Sequence, residues 1–394
     1  MANSEPSKYL VVLGHFDQMG GAERQAFHLI RYLRERRGAK VAVLGWYGTN
    51  GTLAGALREW GCEIFSFPYR ETGSRLAKGI NLLQLAAFVR RNIRPDYILP
   101  FVALHSKPIC QIWRLTGAKY AWWNQQDEGR GLYGSKAERK ALLNAVHITS
   151  NSHAGADFIS RTYLIPKERL RIYNNGTDIP DPAGLKPTWR NELGISSTTP
   201  LVSMVANLTA YKDHQSLLRA WAIVKRKLEA IPGPGPVLAL AGYLSQSHIV
   251  DQLKILAFDL NLGSSVRFLG SIDTTNELMW ESDLVVHSSV TEGCPNAVCE
   301  AMALGKAVIA TDIPGTRQAI ASTLWEQCLS APRDPECLAD LITRHLLDEE
   351  LRNRAGRLNQ QRIENEFTVE GMCEFFMQLM GEQEAISGSA VQRP

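Results

Sequence analysis

Short apolar runs alternate along this chain with longer stretches in which apolar residues recur at helical spacing. The first run, residues 8–14, ends in Gly14-His15-Phe16-Asp17-Gln18-Met19-Gly20-Gly21. A helix is predicted over 22–37, where Phe27, Leu29, Ile30 and Leu33 share one face and Arg31, Arg34, Arg36 and Arg37 take the rest. Strand-like runs follow at 40–46, 62–67, 96–103, 119–123 and 146–150, with helical stretches such as 53–60 and 80–94 between them. Regular alternation of strand and helix predicts a doubly wound parallel sheet.

The pattern is interrupted at 179–200, a stretch rich in Gly, Ser and Thr that holds Pro180, Pro182, Pro187 and Pro200 and reads as a linker with a short helix at 188–193. It then restarts. Strands are predicted at 201–206, 237–242, 266–270, 284–289 and 306–312, a helix at 215–228, and helical spacing from 336 onward. The expected organisation is two Rossmann-like α/β domains, 1–180 and 200–365, joined by a linker at 181–199. A closing helical segment at 366–385 and a disordered tail at 386–394 complete it.

Length supports two domains, since 394 residues exceed one typical core. Hydrophobic content of 45% and charged content of 21% describe an ordinary globular chain. No apolar run is long enough to span a bilayer, and the polar start passes directly into a strand, so no signal peptide is expected. Seven cysteines show no C-x-x-C or Cys/His ligand spacing, which points to a reducing, cytoplasmic setting. The net charge of +3 hides an asymmetry: residues 1–180 carry +11 and the remainder −8. A basic half suggests an anionic partner. Nucleic acid or an anionic membrane surface would answer to that charge.

Chemistry concentrates in Thr291-Glu292-Gly293-Cys294-Pro295-Asn296-Ala297-Val298-Cys299-Glu300-Ala301-Met302-Ala303-Leu304-Gly305. A buried strand precedes this stretch and another follows it, so the unit is βαβ, with ligands expected at the carboxyl ends of its strands. The Gly-Cys-Pro interruption places Glu292 on the loop and Glu300 on the helix. Gly293 lets backbone approach a ligand closely, and the helix start offers free N–H groups to an electron-rich partner. That combination suits a polyhydroxylated ligand attached to phosphate. Gly20-Gly21, at a strand-to-helix turn, offers N–H groups in the same way. The basic, Gly-punctuated stretch 130–140 reads as a mobile lip over an anionic acceptor or as a solvated helix end.

The form EGCPNAVCEAMALGKAVIATDIPG resembles the signature of the retaining glycosyltransferases of family 4, group 1. These are built on the GT-B fold: two doubly wound domains facing across a cleft, with a C-terminal helix crossing back to the first. GGAERQ near the N-terminus and Asn174-Asn175-Gly176-Thr177-Asp178 resemble further elements of that family, so the likeness covers nearly the whole chain. It implies a nucleotide-sugar donor held by the second domain and an acceptor bound by the first. The donor residues so implied are Gly20, Gly21, Asn207, Lys212, Gly270, Glu292, Gly293, Cys294, Pro295, Asn296 and Glu300. Asn207 stands where the family commonly carries an Arg, leaving one cation, Lys212, where two are usual. The family's sugar-contacting His is not plainly matched either. Asn124, Gln126 and Asp127 occupy that loop, and His105 is another candidate. Glu292, Lys212 and Asp127 are the implied catalytic groups, with His105, Gln126 and Arg130 on the acceptor side.

The chain contains no D-x-D, so no metal and no other cofactor is expected. The implied activity is sugar transfer with retention to a lipid-linked or surface glycan, for which an anionic membrane surface, met by a peripheral protein at its inner face, fits better than nucleic acid, and no nucleic-acid partner is expected. An inactive nucleotide-sugar-binding scaffold and a sugar-nucleotide epimerase are the alternatives on the same fold. A dehydrogenase is excluded by the lack of G-x-G-x-x-G.

Overall fold

A computed structural model describes residues 6–390 apart from 18, 72 and 244–246. The chain forms two compact units, one running up to Gly176 and resuming at Val369, the other Thr177–Thr368.

In unit 1 the elements are β1 (Lys8–Val12), α1 (Gly21–Glu35), β2 (Lys40–Gly45), α2 (Thr52–Glu59), β3 (Glu63–Ser66), α3 (Arg75–Phe88), β4 (Tyr97–Pro100), α4 (Ala103–Thr116), β5 (Tyr120–Gln125), α5 (Lys136–Asn144), β6 (His147–Ser150), α6 (His153–Tyr163) and β7 (Leu170–Ile172). The seven strands form one parallel sheet in the order β3-β2-β1-β4-β5-β6-β7. Side chains alternate across it. Tyr9, Val11 and Leu13 join Val41, Val43 and Leu99 on one face, and Leu10 and Val12 join Ala42, Leu44 and Ile98 on the other. The chain reverses its direction of winding between β1 and β4, which makes the loops after these strands the place where a ligand crevice opens.

Unit 2 contains α7 (Trp189–Glu192), β8 (Leu201–Val205), α8 (His214–Leu228), β9 (Val237–Ala241), α9 (Ser247–Asp259), β10 (Val266–Gly270), α10 (Thr275–Glu281), β11 (Leu284–His287), α11 (Asn296–Ala303), β12 (Val308–Thr311), α12 (Pro314–Ala319), α13 (Trp325–Cys328), β13 (Leu329–Ser330), α14 (Pro335–Leu347) and α15 (Glu349–Glu366). Its parallel sheet runs β10-β9-β8-β11-β12-β13, with the reversal between β8 and β11. The last helix, α16 (Val369–Ala390), returns to unit 1. There Met372, Cys373, Phe376 and Met380 pack into the core beside Trp122, whose ring centroid lies 4.7 Å from that of Phe376.

Several local readings change. Residues 181–199 are fastened to unit 2: Trp189 is buried, its backbone N–H donates to Glu281 (2.7 Å), and Arg190 pairs with Asp283 (3.0 Å). The helix expected at 80–94 begins at Arg75, because Ser74 caps it by accepting from the Ala77 N–H (3.2 Å), and it ends in a π-helical turn at Val89–Ile93. The stretch 130–140 enters a regular helix, since Ser135 and Glu138 form a reciprocal capping box at the start of α5. Helix α16 continues to Ala390, through residues read as the start of a tail, and 391–394 lie outside the described residues. No helix among the described residues is long and apolar enough to cross a membrane.

Candidate active site

The carboxyl ends of β8 and β11 carry the loops that build the site in unit 2. Backbone and side-chain bonds lock the two loops together: Val290 N–H donates to the Tyr211 carbonyl (2.9 Å), and Ser288 Oγ to the Lys212 carbonyl (2.9 Å). Thr311 Oγ1, from the end of β12, donates to the Ser289 carbonyl. From the other side the start of α12 presses on the signature turn. A Cβ on Gly315 would fall 1.8 Å from the Gly293 carbonyl oxygen, so only glycine fits there.

Within this frame Glu292 is mostly buried, and one of its oxygens is saturated. Oε1 accepts from the Lys212 ammonium, from His287 Nε2 (3.1 Å) and from Ser289 Oγ (2.8 Å). Oε2 has no hydrogen-bond partner among the described residues. Burial alone would raise the carboxyl's pKa, but Lys212 and His287 outweigh it and hold Glu292 well below the usual carboxylate range. His287 is itself pushed down, by burial first, with Lys212 adding to that and Glu292 opposing it. It is therefore neutral near pH 7, and its contact with a carboxylate requires Nε2 to carry the hydrogen. The neighbouring His214 is buried too, which pushes its pKa down to about 3.

His287 is the member of this cluster that sequence reasoning missed. Its signal was present: a polar residue ending the apolar run Leu284-Val285-Val286, at the carboxyl end of a parallel strand and five positions before Glu292.

The other residues expected to hold a donor are distributed as follows. Gly293, Cys294 and Pro295 form the turn, Pro295 precedes the first residue of α11, Asn296, and Glu300 lies in the second half of that helix. Cys294 and Cys299 are both buried, with their Sγ atoms 3.8 Å apart, and their mutual contact together with burial raises the Cys299 pKa. Gly270 ends β10 with φ +71, and its carbonyl accepts from the Gly242 N–H (2.8 Å). Asn207 does not stand in for a cation. Its Oδ1 accepts from the Tyr243 N–H (3.2 Å), so it ties the loop after β8 to the one after β9. In unit 1, Gly20 and Gly21 stand at the start of α1, after the loop that leaves β1.

The acceptor-side candidates in unit 1 have structural duties. Asp127 Oδ1 accepts from Gln125 Nε2 (3.0 Å) and from the Gly129 (2.8 Å) and Arg130 (3.0 Å) N–H groups, fixing its own turn. Gln126 Nε2 donates to the Tyr173 hydroxyl (3.4 Å), and Arg130 is exposed. His105 sits in the first turn of α4, where Nδ1 donates to the Phe101 carbonyl (2.6 Å) and the ring packs against Gly14 and Trp46. Burial pushes its pKa down to about 4. Trp122 and Trp123 are fully buried and act as core. Among the described residues no group of three or more His, Cys, Asp or Glu converges as a metal site would require.

Comparison with known proteins places this site in a family. Residues 186–362 match the family model described as glycosyl transferases group 1, and residues 19–180 match that of glycosyltransferase family 4. The lipopolysaccharide core biosynthesis glycosyltransferase LpsE of Rhizobium meliloti is 24% identical over 93% of this chain and 97% of its own length. An uncharacterised glycosyltransferase of Methanocaldococcus jannaschii is 24% identical over 64% of this chain, a match that spans 65% of that relative. A glycosyltransferase structure from Rickettsia africae superposes with a TM-score of 0.79 at 18% identity, covering 96% of this chain and 99% of that one. Anabaena HepE in complex with UDP-glucose superposes at 0.78 and 19% identity, covering 95% and 99%. The chain belongs to the group 1 glycosyltransferases, on the GT-B fold, enzymes that draw a sugar from a nucleotide-sugar donor.

Proposed function

We propose that this protein is a retaining, metal-independent hexosyltransferase that moves a sugar from a nucleotide donor to a lipid-linked or surface glycan. It would work in the cytoplasm as a peripheral protein at an anionic membrane face. The observation that carries the reading is the Glu292 carboxylate, with Oε1 held by Lys212, His287 and Ser289 and Oε2 open. A carboxylate oriented in this way is a fixed acceptor for sugar hydroxyls, and its orientation costs nothing at the moment of reaction.

As the bond from the anomeric carbon to the diphosphate breaks, positive charge grows on the sugar and negative charge on the leaving oxygen. Glu292 faces the first, while Lys212 and the N–H groups of Gly293, Cys294 and Asn296 meet the second. The acceptor hydroxyl attacks from the side the diphosphate leaves, and a phosphate oxygen takes its proton, so no dedicated protein base is needed. Glu300 accepts from the ribose hydroxyls, and Gly270 lies beside the base. Gly20 and Gly21 add N–H donors for phosphate. With one cation where the family commonly has two, the diphosphate depends more heavily on N–H donors. Unit 1 takes the acceptor, with His105, Gln126, Asp127 and Arg130 as the contacts to examine. LpsE, named for lipopolysaccharide core synthesis, supports the choice of acceptor class.

The test is thermal shift and donor hydrolysis across UDP-, GDP- and ADP-sugars with EDTA present, for wild type, Glu300→Ala and Lys212→Ala. Stabilisation by one nucleotide class, with slow turnover that both variants lose, is expected. Binding without turnover, even with lipid-linked acceptors added, would favour a scaffold. Turnover abolished by EDTA would remove metal independence.

A further inference from the structure

We propose that α3 and the π-helical turn after it form a docking surface for an anionic lipid bilayer. This deepens the membrane part of the reading above by naming the surface that makes the contact.

Helix α3 buries Leu85 and Ala86 against the sheet, with Leu82 and Phe88 partly covered beside them. Its opposite face does not follow the usual polar pattern. Leu76, Ile80 and Leu83 are 75%, 48% and 60% exposed, and their spacing stacks them in one stripe along the helix. Single exposed apolar residues need no explanation, whereas a stripe on one helix face marks something that covers it. Ala87 continues the stripe by one more step. It also lines an open basin of about 670 Å³ together with Arg90, Arg91, Arg94, Asp96, Thr116 and Gly117. The apolar stripe therefore runs directly into three exposed arginines.

Charge complementarity identifies the occupant. From Thr72 to Pro95 the chain holds Arg75, Lys78, Arg90, Arg91 and Arg94 and no Asp or Glu. The acids that flank this segment already have cationic partners on other elements. Glu71 pairs with Lys107, while Asp96 pairs with Lys119 (2.9 Å) and accepts from the Lys8 N–H (2.9 Å). None of the five cations has an ion-pair partner among the described residues. An apolar stripe ending in unpaired arginines fits a helix lying in the headgroup layer, with its leucines toward the acyl chains and its guanidiniums on phosphates. Arginine stems can follow the apolar surface while their heads stay among the headgroups.

The experiment is cosedimentation of the full chain with phosphatidylcholine vesicles, with and without phosphatidylglycerol, over a range of salt. Wild type should sediment only with the anionic vesicles and be released by salt. Arg90→Gln/Arg91→Gln/Arg94→Gln should bind about a hundredfold more weakly, at roughly fivefold per arginine. Leu76→Ser/Ile80→Ser/Leu83→Ser should lose binding by about tenfold or more while keeping the wild-type thermal transition. No sedimentation at low salt, or binding that survives both variants, would overturn the proposal. A wild-type dimer in light scattering that the serine variant dissolves would assign the stripe to a second copy instead. Sedimentation needs no turnover, so vesicle binding by a protein that turns over no donor would sink the transferase reading and leave this one standing.

Discussion

Replacing Lys212 with Met keeps most of the stem and removes the ammonium from Glu292. The two side chains are only 15% and 12% exposed, so the carboxylate left behind stays largely out of water. Losing one partner of a buried ion pair costs about 3–5 kcal/mol. His287 and Ser289 donate to Oε1 with or without Lys212, so the carboxylate is not left bare and the cost falls at the low end of that range. The net expectation is a unit 2 destabilised by about 3 kcal/mol at pH 7. Native-state hydrogen exchange at β8 and β11 reads this without requiring both units to unfold in one step.

The pH dependence carries a second signature. In wild type the folded pKa of Glu292 lies below its unfolded value, so the contribution is complete above the unfolded pKa. It is lost as pH falls from there through the folded pKa. In Lys212→Met the depression shrinks, and less stability is lost on acidification. Glu292→Gln alone and combined with Lys212→Met closes a double-mutant cycle, with a coupling of about 1–2 kcal/mol expected. If the two substitutions add to within about 0.5 kcal/mol, the pair does not hold the site together and the reasoning fails.

Three further outcomes are expected. His287→Phe, which fills the strand position without the Nε2–H donor, should lower kcat/KM for the donor about tenfold while leaving the fold intact; a change under about twofold would show that Lys212 and Ser289 suffice. Gly315→Ala drives a methyl into the Gly293 carbonyl, so nucleotide-induced thermal stabilisation should disappear even where the protein still folds, and unaltered nucleotide binding would refute this. Glu138 is fully buried and accepts from Lys107 (3.1 Å), the Tyr163 hydroxyl (2.9 Å) and the Ser135 N–H (2.8 Å), so Glu138→Ala should cost unit 1 about 3 kcal/mol in urea unfolding; a cost under about 1 kcal/mol would mean the network is dispensable.

Local rules acting on neighbouring residues made the architecture legible in the chain. Apolar runs such as Leu10–Leu13 and Leu284–Val286 must be covered on both faces, which demands parallel strands under helices, and the proline-rich stretch marks where one sheet ends. Glu292 and Glu300 stood out because the turn between them interrupts a helix. Helix starts were less visible, since the caps at Ser74 and Ser135 matter only once the residues after them are helical.

Tertiary structure decided what no spacing encodes. Lys212 reaches Glu292 only because β8 and β11 lie side by side, although 80 residues separate the two. Asn207 reads as a missing cation along the chain and becomes a loop brace once Tyr243 is beside it. Asp127, a catalytic group by resemblance, has its Oδ1 engaged by N–H groups of its own turn, which only the folded loop shows. Sequence fixes which groups are available, because chemistry belongs to the residue. Which of them meet, and which are already committed to the fold, depends on contacts between distant segments that form only when the sheet assembles.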